Sequence, residues 1–149
     1  MSSLHKNITE TIGNTPLVQI VRLNPNKKVT IYAKLESCNP GGSIKDRVAL
    51  AMIEGAEKRG ELSKEKIILE ATSGNTGIGL AMVAAAKGYR LCLAMSEAAS
   101  EERKRILKAM GAEIHFTPAS LGTDGANEMA YKLLSDNQEK YFGTDQFNK

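Results

Sequence analysis

A chain of 149 residues that is 42% apolar and 25% charged is long enough for one domain with a real core, and its composition is that of a soluble globular protein. Its 20 basic and 17 acidic residues leave a net charge of +3, interleaved along the chain, which gives no electrostatic case for a nucleic-acid partner. The N-terminus MSSLHKNITETIGNTP has no apolar core of signal-peptide length, and the apolar run IGLAMVAAA is far too short to cross a bilayer, so a cytoplasmic protein without a membrane partner is expected.

Two segments rich in β-branched and aromatic residues come first. PLVQIV (16–21) and VTIYAKLE (29–36) read as strands joined across LNPNKK. After the turn NPGGS, Ile44, Val48, Ala51, Met52 and Ala56 recur at helical spacing up to Gly60, predicting a helix with a glycine stop. Three strand-helix units follow: KIILEA (66–71) with a helix over 75–87, YRLCLAM (89–95) with one over 100–110, and AEIHFT (112–117) with one over 124–135. Their short connections predict an α/β fold, an open parallel sheet with helices on both faces. Cys38 and Cys92 are too few for a disulfide framework or a metal-ligand set and are expected as reduced, packed thiols.

The turn TSGNTGIG (72–79) follows a strand and opens a helix, the place where parallel sheets bind ligands and where free N–H groups attract anions. Two chemistries compete for it. Gly74, Gly77 and Gly79, with Glu97 about 20 residues on, approximate a dinucleotide fingerprint, but the order is G-x-x-G-x-G where G-x-G-x-x-G is required. Thr72, Ser73, Asn75 and Thr76 could instead supply donors to a small carboxylate. A plain tight turn capped by Asn75 accounts for the same letters.

PGGSIKDR (40–47) is the second conspicuous stretch. If Ser43 caps the helix, with Asp46 as a capping-box partner, Lys45 falls in its first turn. The positive helix end and partial burial would then both disfavour its ammonium form. Pro40, Gly41 and Gly42 would turn the backbone tightly and leave open space beside the lysine.

Taken with TIGNTPLV, KLESCNPGGSIKDR, EATSGNTGIGLA, KGYRL, LKAMGAE and YFGTDQFN, the paired motifs resemble the cysteine synthase and cystathionine β-synthase family, fold-type II enzymes that use pyridoxal 5'-phosphate. The resemblance implies that Lys45 carries the cofactor as a Schiff base and that Asn75 bonds its ring hydroxyl. It implies further that Thr72, Ser73, Gly74, Asn75 and Thr76, joined by Gln146, grip the substrate carboxylate. The implied reaction is β-replacement on an activated serine, O-acetylserine or similar, in which Lys45 removes the α-proton and a sulfide or thiol enters to give cysteine. Cystathionine β-synthase activity and a non-catalytic carboxylate-binding domain are the alternatives, and a homodimer is implied. The segment SEAASEER (96–103) lies where the family closes over substrate, but Ser96 stands where the family pattern has a proline.

Family members are about twice this length. The expected organisation is therefore an N-terminal segment, 1–36, whose strands belong to a larger domain, and a small α/β domain, 37–149, bearing the lysine and the carboxylate loop. The domain that binds the cofactor phosphate is expected to be absent, leaving a truncated half, inactive alone, with unpartnered N-terminal strands. GTDGAN (122–127) is the nearest approach to a second phosphate cradle and reads as an ordinary helix start. His115 is expected to be structural, no metal site is expected at Asp124 and Glu128, and Met52, Met82 and Met110 read as core filler.

Overall fold

The computed structural model describes residues 4–144. Six strands and four helices follow one another as β1 (Leu17–Gln19), β2 (Tyr32–Lys34), α1 (Lys45–Arg59), β3 (Ile67–Ala71), α2 (Asn75–Lys87), β4 (Arg90–Ser96), α3 (Glu101–Ala109), β5 (Glu113–Thr117), α4 (Gly122–Asp136) and β6 (Tyr141–Gly143). Strands β3 to β6 form one parallel sheet in the order β5-β4-β3-β6, and β1 pairs antiparallel with β2 in a separate ribbon. The open parallel sheet with helices on both faces is the architecture the sequence predicts.

Alternation along the strands sorts the core into two halves. Ile68, Leu91, Leu93, Met95 and Phe142 point to the face covered by α1, α2 and α3, where they meet Ala49, Ile53, Leu80, Val83 and Leu107. Ile67, Leu69, Cys92 and Tyr141 point to the other face, where α4 presents Ala130, Leu133 and Leu134. Ile53, Ile68, Leu80, Leu93 and Leu107 lose all contact with solvent, and each such side chain contributes about 1.5–3 kcal/mol of burial. Both faces of β3 are covered, which is why KIILEA reads as a nearly continuous apolar run.

Three local differences from the sequence reading have physical causes. Helix α1 buries Asp46, Ala49, Ile53 and Ala56, whereas Ile44 and Ala51 are exposed. The helix carries two apolar stripes, and the one that packs is the one that meets the small residues of α2. The other stripe, Ala51 and Met52, lines an open groove with Phe142 and Thr144. Strand β6 is three residues long, too short to show a period, yet Ile67, Ile68 and Leu69 pair with it and Thr144 donates to the buried Glu70 carboxylate. Cys38 is exposed rather than packed, whereas Cys92 is buried; both are free thiols.

The ribbon β1–β2 leaves its apolar groups unburied: Leu17, Val18, Val21, Val29, Ile31 and Tyr32 are all exposed. Among the described residues no helix is long and apolar enough to cross a membrane.

Candidate active site

The two motifs meet because α1 and α2 cross at their beginnings. A Cβ built on Gly79 would stand 3.0 Å from the carbonyl oxygen of Lys45 and 3.2 Å from Ala49 Cβ. Only glycine permits that approach. Gly79 is four residues into α2, about 6 Å along the axis from Asn75, so the first turns of both helices, with their free N–H groups and positive dipole ends, converge.

Around this point the backbone is tied down. Asn39 donates through Nδ2 to the carbonyl and carboxylate of Glu36, both at 2.9 Å, and accepts from the N–H of Gly13 at 2.9 Å. Arg47 forks onto Glu36 through Nε (2.9 Å) and Nη2 (3.1 Å), and Thr15 Oγ1 donates to the same carboxylate at 2.7 Å. The Arg47 guanidinium and then the Thr15 hydroxyl hold Glu36 down at about 2. The resulting clamp fixes the N-terminal segment 13–15 and the start of the glycine turn to the second residue beyond Lys45.

The predicted capping box is not formed. Ser43 Oγ accepts from the N–H of Lys45 at 3.1 Å, while Ile44 occupies the cap position with helical backbone and no side-chain bond. The carboxylate of Asp46 turns back to the N–H of Gly41 at 2.6 Å, because the tight turn carries Gly41 into the space over the helix start. A side chain on Gly41 would collide with that carboxylate. Asp46 is wholly buried, its Oδ1 has no hydrogen-bond partner, and burial raises its carboxyl above the usual aspartate value. Gly42 takes φ +81°, and a Cβ there would meet nothing within 4 Å.

On the α2 side, Thr72 Oγ1 accepts from the N–H of Gly74 at 3.3 Å and so closes its own turn. Thr76 is buried, Ser73 and Gly74 are half-buried and Asn75 is exposed. Gly74, like Gly42, faces open space. The side chains of Lys45, Ser73 and Asn75 make no hydrogen bond among the described residues, although the main chain that carries them is held. Space over glycines, a half-buried lysine, and amide and hydroxyl donors without partners among the described residues, at two converging helix starts, form a cradle that fits an aromatic aldehyde and an amino-acid carboxylate. Gln146 lies outside the described residues. The turn 122–125 is a helix start in which Gly125 packs under Leu121, and Glu97 is exposed after β4.

Gly13, Thr15, Glu36 and Asn39 carry no role in the sequence reading. The signal available was an acid and a base, Glu36 and Arg47, flanking the glycine turn eleven residues apart.

Comparison with known proteins gives a consistent result. The family described as pyridoxal-phosphate dependent enzymes matches residues 8–149. A cysteine synthase of Flavobacterium sp. is 56% identical over 131 residues, covering 88% of this chain and 42% of that protein. The crystal structure of cysteine synthase from Entamoeba histolytica superposes with a TM-score of 0.95 at 42% identity, over 99% of this chain and 45% of that one. That of a hydrogen sulfide-producing enzyme from Fusobacterium nucleatum gives 0.89 at 46% identity, over 99% and 47%. The chain thus spans about half the length of the relatives it matches.

Proposed function

Because this chain belongs to the family of pyridoxal-phosphate dependent enzymes, we propose that it forms the lysine-bearing half of a cysteine synthase. The reaction is β-replacement: O-acetylserine or a similarly activated serine, plus sulfide, gives cysteine and the released acid. The observation that carries this reading is the state of Lys45, Ser73 and Asn75, three polar side chains without a hydrogen-bond partner among the described residues, set on a locked main chain beside glycines that leave open space.

Lys45 would hold pyridoxal 5'-phosphate through its amine, and Asn75 would donate to the ring hydroxyl. When bound, the cofactor would supply an electron sink for charge developing at the substrate Cα. The residues of this chain do the rest. Ser73, Asn75 and the first N–H groups of α2 orient the substrate carboxylate. The Lys45 amine, standing at the neighbouring helix start, takes the Cα proton as general base. Thr72 and Thr76, fixed by their turn and by burial, keep the loop in shape, and the Glu36–Arg47 clamp holds the lysine's helix in register.

The ribbon β1–β2, with apolar groups exposed on it, would belong to a larger domain that also binds the cofactor phosphate, in a cytoplasmic homodimer. Homocysteine entering in place of sulfide would make the product cystathionine instead. A carboxylate-binding domain without catalysis is the reading that remains if no cofactor is held.

The direct test joins this chain to the second half of a relative and assays cysteine formation from O-acetylserine and sulfide. Activity lost by about 10³-fold or more in Lys45→Ala supports the reading; activity that survives the substitution defeats it.

A further inference from the structure

On the face of the sheet covered by α4, away from α1 and α2, three potential ligands gather. Cys92 on β4 pairs in register with Glu113 on β5, and His115 is the next residue of β5 on the same face. Their ligand atoms, the Cys92 Sγ, a Glu113 carboxylate oxygen and a His115 ring nitrogen, all lie within 4.8 Å of one another. His115 Nε2 is 2.7 Å from Glu113 Oε1. We propose that Cys92, Glu113 and His115 form a binding site for a thiophilic divalent cation, with zinc as its natural size and hardness.

Geometry and chemistry both bear on the choice of ion. A tetrahedral zinc with Zn–S about 2.3 Å and Zn–N or Zn–O about 2.1 Å needs its ligand atoms about 3.4–3.6 Å apart. The ligand atoms here lie within 4.8 Å of one another, at most about 1.4 Å beyond that spacing, while His115 Nε2 and Glu113 Oε1, at 2.7 Å, stand closer than it and would part to admit the ion; Glu113 and His115 are the exposed and half-exposed members, able to make these adjustments. One sulfur, one imidazole nitrogen and one carboxylate oxygen suit zinc or cobalt and not calcium or magnesium, which take oxygen alone. The fourth position would be open to water, since β5 is an edge strand of the sheet and its Glu113 and His115 side chains are exposed and half-exposed.

The same trio could be read as a cysteine nucleophile with a histidine base. Its surroundings oppose that: burial, then the Glu113 charge, pushes the Cys92 thiol up to about 11, with Lys140 acting weakly the other way, whereas a reactive thiol needs a lowered value. Metal binding breaks the Cys92 S–H bond, forms a sulfur–metal bond and releases one proton to solvent, with no electron transferred. Glu113 begins β5 and Cys92 is third in β4, so the ion would join the early parts of two strands whose other ends lead toward the cofactor side. It would brace the sheet edge and take no part in β-replacement.

The test is a calorimetric zinc titration of the 149-residue chain carrying Cys38→Ser, which removes the exposed thiol. Binding of one ion per chain with Kd below about 100 μM, weakened at least tenfold in both His115→Ala and Glu113→Gln, is the result expected. Cobalt should give thiolate-to-metal charge-transfer absorption that disappears in Cys92→Ala. The proposal is overturned if no ion binds in that range, or if His115→Ala and Glu113→Gln bind zinc as the parent does. The two surface variants decide the matter even where Cys92→Ala fails to fold.

Discussion

The carbonyl oxygen of Lys45 lies 3.0 Å from the point at which a Cβ on Gly79 would stand. That approach brings the lysine's helix onto the turn that carries Ser73 and Asn75. Gly79→Ala would gain about 1 kcal/mol in helix propensity but force two backbones apart at a cost of about 1–3 kcal/mol. A net loss of stability is expected in urea unfolding. Gly77→Ala, which presses on the Thr72 methyl at 3.1 Å and Leu93 Cδ1 at 3.4 Å, should cost less, because side chains yield more readily than a carbonyl. The reverse order would show that α1 is not held by this contact.

The Glu36–Arg47 clamp predicts one arm of the acid response. A carboxyl held at about 2 when folded, against 4.5 as its ordinary value, adds stability that is complete above the unfolded value and is lost as pH falls through the folded one. Glu36→Gln should therefore flatten the decline of the urea midpoint between those two values. An unchanged acid limb would mean that the fork does not hold in solution.

Asp46 predicts the opposite sign. Burial raises its carboxyl above 3.8, so its favourable contribution is present below that value and fades as pH rises through the folded one. Asp46→Asn keeps an acceptor for the Gly41 N–H and removes the charge. The difference between the two proteins should move in the variant's favour with rising pH, and a constant difference would contradict the burial argument.

Ser73→Ala and Asn75→Ala remove side chains that bond to nothing among the described residues, so each should leave the unfolding free energy within about 0.5 kcal/mol. Each should weaken binding of an amino-acid carboxylate about tenfold or more, the worth of a hydrogen bond to a charged group. Equal losses in stability and binding would recast these residues as structural.

Much of this architecture is legible in the letters because buried parallel strands leave continuous apolar runs and helices stop at glycines: α2 begins at Asn75 and ends at Lys87 before Gly88, as the pattern predicts. The packed face of α1 is not legible, since two apolar stripes compete and only the presence of Gly79 opposite decides between them. Strand β6 owes its existence to pairing with β3 rather than to any period of its own. At the site, the motif residues Lys45, Ser73 and Asn75 stand out, but the Glu36–Arg47 fork joins an acid and a base eleven residues apart across the glycine turn, a spacing that no single helix or strand sets. The Asp46 bond to Gly41 replaces the capping box that local spacing implies.

The central claim is that Lys45 is the residue that condenses with the cofactor. Reduction by borohydride in the presence of pyridoxal 5'-phosphate, performed on this chain joined to the second half of a relative and followed by peptide mapping, tests it most directly. The phosphopyridoxyl group is expected on the peptide containing Lys45 and absent in Lys45→Ala; a label on any other lysine, or equal labelling in that variant, would contradict the account.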